Sequence, residues 1–135
     1  HEIRVTAHNE VTGESASASL NIKTLLPETY IYSYPENNYG RIIDGKISMY
    51  AGEENSIMAR FFYFNSQSAN DFEIKWYVNE ETAENTGSRP EIFPINITSR
   101  TKKGIEIPMK LNVKNKSKRA SMFEETSTRF GITVK

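Results

Sequence analysis

An all-β sandwich is the fold class this sequence predicts, and three observations carry it. The segment Phe72 to Val78 alternates, with Phe72, Ile74, Trp76 and Val78 on one face and Glu73, Lys75 and Tyr77 on the other. That is the period-2 signature of a half-buried strand. The run Ile57 to Phe64 precedes it across a short polar loop, and the two read as central strands around a core anchored by Trp76, the single tryptophan, and Phe61. Finally, no extended stretch shows a helical period, whereas short apolar runs recur at close spacing between turn residues, which argues for a sandwich or barrel over an α/β fold.

Taken in order, Ile3 to His8 alternates, Asn9 to Glu14 is turn-like, and alternation resumes at Ala16, Ala18, Leu20 and Ile22, opposite a small, polar row of Ser15, Ser17, Ser19, Asn21 and Lys23. This predicts a hairpin with one apolar face. Leu25-Leu26-Pro27-Glu28 breaks the pattern, since proline cannot donate to a ladder. Thr29 to Tyr34 reads as a strand, Pro35 to Gly40 as a loop, and Asp44-Gly45 as the type I′ turn of a further hairpin. Gly52 to Asn55 turns into the aromatic strand, and Asn79 to Ser88 is expected as an acidic loop. Glu91 to Thr98 carries Phe93, Ile95 and Ile97 on one side and Pro94 on the other, an edge strand by its proline. Ile105, Ile107, Met109, Leu111 and Val113 form the clearest inward row, Asn115 to Arg119 its loop, and Phe130, Ile132 and Val134 the last alternation.

The alternating hairpin at residues 3 to 23 resembles the one at 105 to 135. Because an Ig-like sandwich ends on such a hairpin, the expected organisation is residues 1–26 as the closing hairpin of a preceding Ig-like domain plus linker, and 27–135 as an Ig-like antiparallel β-sandwich. Deletion of the hairpin is then expected to leave the rest folded.

Composition bounds function. Lysine plus arginine equals aspartate plus glutamate at 17 each, so nothing draws the chain generally to nucleic acid. The absence of cysteine removes disulfides, thiolate zinc sites and cysteine nucleophiles. The chain starts at His1 with no methionine, leader or apolar span, so it is expected to be a piece or processed product with no membrane span of its own.

Motifs for catalysis are weak. Gly40 to Lys46 matches G-x-x-x-x-G-K, but Ile47 stands where a serine or threonine would hold magnesium, and a strand follows instead of a helix. His8 lacks a second ligand, Asp44 and Asp71 sit in or beside turns, and Glu80, Glu81 and Glu84 read as a solvated loop. No enzyme, cofactor or metal site is expected. Lys110, Lys114, Lys116, Lys118 and Arg119 gather positive charge without neighbouring aromatics in sequence, and read as a charged edge against aggregation. Tyr30, Tyr32 and Tyr34 share one strand face, either as a sugar-stacking platform or, the favoured reading, as a row packed on the core. Asn96-Ile97-Thr98 and Asn115-Lys116-Ser117 match the N-glycosylation pattern.

Tyr32 to Gly40, Ala59 to Phe64 and Lys75 to Asn79 resemble the tandem Ig-like or PKD-like domains of uncharacterised bacterial surface proteins. The resemblance covers most of the chain and departs at Arg60, where proline is expected, and at Glu80, where glycine is expected. It implies an exported, non-catalytic structural or adhesive module at the cell surface, with neighbouring Ig-like domains, copies of itself or surface glycans as partners. The competing readings are a carbohydrate-binding module using the tyrosines and a filament subunit joined through strand edges.

Overall fold

The structure is a computed structural model that describes residues 2–23, 25–34, 40–66, 68–85, 87–117 and 124–135. Lys118 and Arg119 of the basic hairpin, most of the 35–40 loop and His1 lie outside them.

The alternating segments form strands, and the apolar rows of those from residue 28 onward converge on one core. A five-stranded sheet has the order β4 (Lys46–Met49), β10 (Glu125–Val134), β9 (Glu106–Asn115), β6 (Phe72–Val78) and β7 (Glu81–Ala83). A three-stranded sheet has the order β3 (Glu28–Ser33), β5 (Glu54–Phe62) and β8 (Ile92–Asn96). Their inner faces meet in a core that joins Trp76, Leu111, Val113 and Ile132 to Ile31, Ile57, Phe93 and Ile95. Trp76 stacks on Phe93 of the opposite sheet at 5.2 Å between ring centroids, and its indole N–H donates to the Pro90 carbonyl at 3.0 Å. The chain is therefore an all-β sandwich.

Two prolines sit where a missing donor does no harm. Pro94 lies in β8, an edge strand as expected. Pro108 lies in central β9, but at the level where β6 has ended: β6 pairs from Met109 onward, and the Pro108 carbonyl accepts from the Asn79 amide in the turn, at 3.0 Å. The missing N–H thus costs no ladder bond.

Three expectations about connections are overturned. Asp44-Gly45 does not make a hairpin. Ile42 bridges to Tyr32 beside β3, Gly45 takes φ 73° while Asp44 does not have positive φ, and the chain crosses to the other sheet, where β4 pairs in parallel with β10. The sandwich thus contains one parallel pair and is not purely antiparallel. Asn79 to Ser88 is not one loop: Asn79 and Glu80 take φ 51° and 68° as a two-residue turn, and β7 pairs back on β6. Successive left-handed residues are what a type I′ turn demands, and they explain why glycine is expected at Glu80. Asn115 is not a loop residue but the last inward side chain of β9, only 5% exposed, which is incompatible with a glycan on that asparagine in the folded chain.

The predicted N-terminal hairpin forms as β1 (Glu2–His8) and β2 (Ser15–Asn21), paired Ile3 with Leu20, Val5 with Ala18 and Ala7 with Ala16. Asn9 closes its loop by accepting from the Val11 amide through its side chain, at 2.9 Å. Every residue of both strands is exposed, Val5 by 63% and Leu20 by 62%, and the pair forms a separate two-stranded sheet.

Candidate functional site

The outer faces of the two sheets differ in chemistry, and the aromatic one belongs to the three-stranded sheet. In β3 the inward residues are Thr29 and Ile31, which turns Tyr30 and Tyr32 outward. The favoured expectation, tyrosines packed on the core, is thereby reversed. A buried phenol needs a partner for its hydroxyl, whereas the Ile31 side chain needs none, and Thr128 ties the same strand to β10 by donating to the Thr29 carbonyl at 3.2 Å.

Register decides what stands beside the tyrosines: Glu28 faces Phe62, Tyr30 faces Arg60 and Tyr32 faces Met58. The Tyr30 ring meets Phe62 edge-on at 5.5 Å, and the Arg60 guanidinium lies 5.5 Å over the Tyr32 ring. The Tyr30 hydroxyl donates to a Glu28 carboxylate oxygen at 2.9 Å. Its pKa is raised, first by that hydrogen bond, then by the Glu28 charge, with small contributions from burial and from the neighbouring Tyr63 and Tyr32.

Tyr63 extends the strip. It takes φ 62°, an uncommon backbone state for a bulky residue and a form of local strain concentrated at functional positions. The strained turn divides the aromatic run by face. Phe61 and Phe64 pack inward on Phe72, at 4.8 and 5.1 Å, while Phe62 and Tyr63 stay outside, 6.3 Å apart. Phe61 is partly buried and packs against the core. Tyr30, Phe62 and Tyr63 remain 41%, 37% and 53% exposed, a contiguous aromatic surface.

Of the three predicted tyrosines, the structure brings Tyr30 and Tyr32 into this strip. Tyr34 lies beyond the end of β3, where its phenol adds slightly to the raised pKa of Arg89, whose main cause is the hydrogen bond and charge of Glu91, 2.7 Å away. Arg60, Phe62 and Tyr63 escaped sequence reasoning. The usable signal was the pairing of two outward rows across adjacent strands.

The outer face of the five-stranded sheet is charged. Three cross-strand rows span β6, β9 and β10: Glu73, Lys114 and Glu125; Lys75, Asn112 and Ser127; Tyr77, Lys110 and Arg129. Lys110 and Lys114 are therefore not on a sheet edge, as expected, but on the central strand β9, and Lys110 has an aromatic neighbour after all, its Nζ lying 5.3 Å from the Tyr77 ring centre. Glu73 holds two lysines, Lys75 at 2.7 Å and Lys116 at 3.1 Å. Hydrogen bonds from these ammonium groups, Lys75 first, lower its pKa to about 2. Because the folded value lies below the ordinary 4.5, the stabilisation is present above pH 4.5 and is lost as pH falls toward 2. An NMR titration of the Glu73 carboxyl should show a midpoint near 2, moving toward 4.5 in Lys75→Met; an unmoved midpoint would remove the lysines as cause.

His8 is exposed and its Nδ1 lies 2.7 Å from the Ser15 hydroxyl, with no other imidazole nearby among the described residues. Lys46, the lysine of the P-loop-like stretch, opens a strand and pairs with Glu106. Among the described residues no group of three or more histidine, cysteine, aspartate and glutamate side chains is placed to hold a metal ion. Among the described residues no helix is long and apolar enough to cross a membrane. No family model, curated protein or solved structure matches the chain.

Proposed function

We propose that this chain is a non-catalytic structural or adhesive module, Ig-like in kind, of a larger extracellular bacterial surface protein in which one sandwich follows another. The observation that carries the reading is the exposed apolar face of the β1–β2 hairpin: Ile3, Val5 and Leu20 are 49 to 63% exposed. A lone two-stranded hairpin is marginal in water, and this one resembles the closing β9–β10 hairpin of the sandwich, so the cover that suits it is the remainder of a preceding sandwich. The strand order of the main sandwich, with its last two strands adjacent and at the middle of the larger sheet, accords with an Ig-like topology. The partners that follow are neighbouring Ig-like domains.

Residues 27–135 alone should melt within ~2 °C of the full chain, since little stability is shared across the linker. In the intact chain, amides of β1 and β2 should exchange with solvent far sooner than those of β9 and β10. A truncated chain that unfolds, or a hairpin as protected as the sandwich, would place the hairpin in the main core and remove the argument for tandem modules.

A second reading, glycan binding, is favoured by the exposed Tyr30, Phe62 and Tyr63. Tyr30→Ala and Phe62→Ala should each weaken retention on the recognised polysaccharide at least tenfold while leaving the melting temperature within a few degrees, of the order a surface change produces. Equal retention by both variants would eliminate the aromatic strip as a sugar platform. Filament growth through edges of the sandwich has less support, because β7 and β4 have three and four residues, β8 contains Pro94, and part of the β3 edge is bridged by Ile42.

A further inference from the structure

Lys110 of β9 and Arg129 of β10 stand directly opposite one another on the outer face of the five-stranded sheet. Like charges in directly opposed cross-strand positions destabilise a sheet. The Tyr77 ring lies 5.3 Å from the Lys110 Nζ, but no carboxylate relieves the couple: among the described residues, the ion pairs join Lys46 to Glu106, Lys75 and Lys116 to Glu73, and Arg89 to Glu91, and none reaches Lys110, Lys114 or Arg129. Glu73 is already occupied by two lysines. Glu80 borders the groove at its lower end and Glu125 stands opposite Lys114, without an ion pair to the Lys110 and Arg129 couple.

The surroundings have the chemistry of a site. The couple lies where two adjoining shallow grooves meet, one running over Tyr77, Lys110, Asn112, Lys114 and Ser127, the other over Tyr77, Pro108 and Arg129. The next row up holds Asn112, whose side-chain oxygen is buried with no hydrogen-bond partner. A bare acceptor of this kind costs free energy unless a donor reaches it. One ligand satisfies both demands: an anionic group between Lys110 and Arg129, carried on a scaffold that offers hydroxyl donors to Asn112 about two residues, or ~7 Å, along the strand. A guanidinium beside an ammonium suits a carboxylate or sulfate, which the guanidinium grips through paired N–H groups.

We propose that the outer face of β6, β9 and β10 is a binding site for an acidic polysaccharide, with Lys110 and Arg129 holding a uronate carboxylate or a sugar sulfate and Asn112 accepting from a sugar hydroxyl. It lies on the opposite sheet from the aromatic strip and stands or falls independently of it. The like-charge couple is then a cost in stability retained for the ligand.

The test measures binding of the intact chain to polygalacturonate, dextran sulfate, neutral dextran and single-stranded DNA, with Lys110→Ser and Arg129→Ser as variants. Wild type should bind at least one of the two acidic polysaccharides, with polygalacturonate against dextran sulfate telling carboxylate from sulfate, and each variant should bind at least tenfold more weakly. Without ligand the variants should melt at the same temperature as wild type or higher, because the repulsion is gone, and that excludes misfolding as the cause of lost binding. Failure to bind either acidic polymer, undiminished binding by both variants, or equal binding of neutral dextran would overturn the site. DNA bound as tightly as the polysaccharides would also overturn it, reducing the face to a general polyelectrolyte patch.

Discussion

Trp76→Ala should cost about 3 to 5 kcal/mol, the range for emptying a large aromatic from a packed core. The side chain is 1% exposed, lies over Phe93 of the facing sheet and pairs across β9 with Leu111 and across β7 with Ala83. No neighbour can collapse into the space without parting the two sheets, because Phe93 and Leu111 belong to opposite layers. The substitution also strips the Pro90 carbonyl of its indole donor. For a chain of 135 residues the expected fall in melting temperature is on the order of 10 to 20 °C. Trp76→Phe retains most of the volume but not the donor, and should cost less than half as much. As the single tryptophan, Trp76 also reports on itself: native emission should be blue-shifted and move red on unfolding. A red, solvent-quenched native spectrum would show that the indole is not between the sheets.

The burial of Trp76 was legible in the sequence alone, and it locates where sequence reasoning holds. A strand buried on one face writes its partnership into a period of two, so Phe72 to Val78, Ile107 to Val113 and Phe130 to Val134 were legible residue by residue. The β3 strand was harder because both of its rows are substantial, Thr29 and Ile31 against Tyr30 and Tyr32, and aromatic bulk pointed to the wrong one. What decides is the phenol, which is better served by Glu28 and solvent than by a dry interior. Connections were less legible still. Asp44-Gly45 carries the local chemistry of a turn, but whether the chain then returns to its own sheet or crosses to the other is settled by where β10 lies, more than eighty residues later. The lysines of β9 show the same limit: the charge is visible in sequence, while the Arg129 opposite Lys110 and the Tyr77 beside it come from other strands. The candidate sites are cross-strand sets, and a reading along one strand sees only part of each.

Asn115→Leu should cost on the order of 3 kcal/mol, although it places an apolar residue of similar size on the inward row of β9. The row runs Met109, Leu111, Val113 and Asn115, and Asn115 is as buried as an ordinary core residue at 5% exposure. Its amide nitrogen donates to the Glu124 carboxylate at 2.6 Å and to the Asn65 carbonyl at 3.2 Å, and its side-chain oxygen accepts from the Ser117 amide at 2.9 Å. The same Glu124 oxygen accepts from the Asn65 amide at 2.8 Å, so the β9–β10 connection is fastened to the β5–β6 connection through one buried carboxylate. Leucine supplies none of these bonds. It takes a donor from a carboxylate that is 8% exposed, and hydrogen bonds to buried charges are worth ~1.5 to 3 kcal/mol, with a further ~1 to 3 for each partner left unmatched. Glu124→Gln, which retains the shape and removes the charge, should cost less alone, and the double variant should cost less than the sum of the two because both act on one network. Urea unfolding of the four proteins measures the cycle. Additivity within ~0.5 kcal/mol would mean that Asn115 and Glu124 act separately and not as one network.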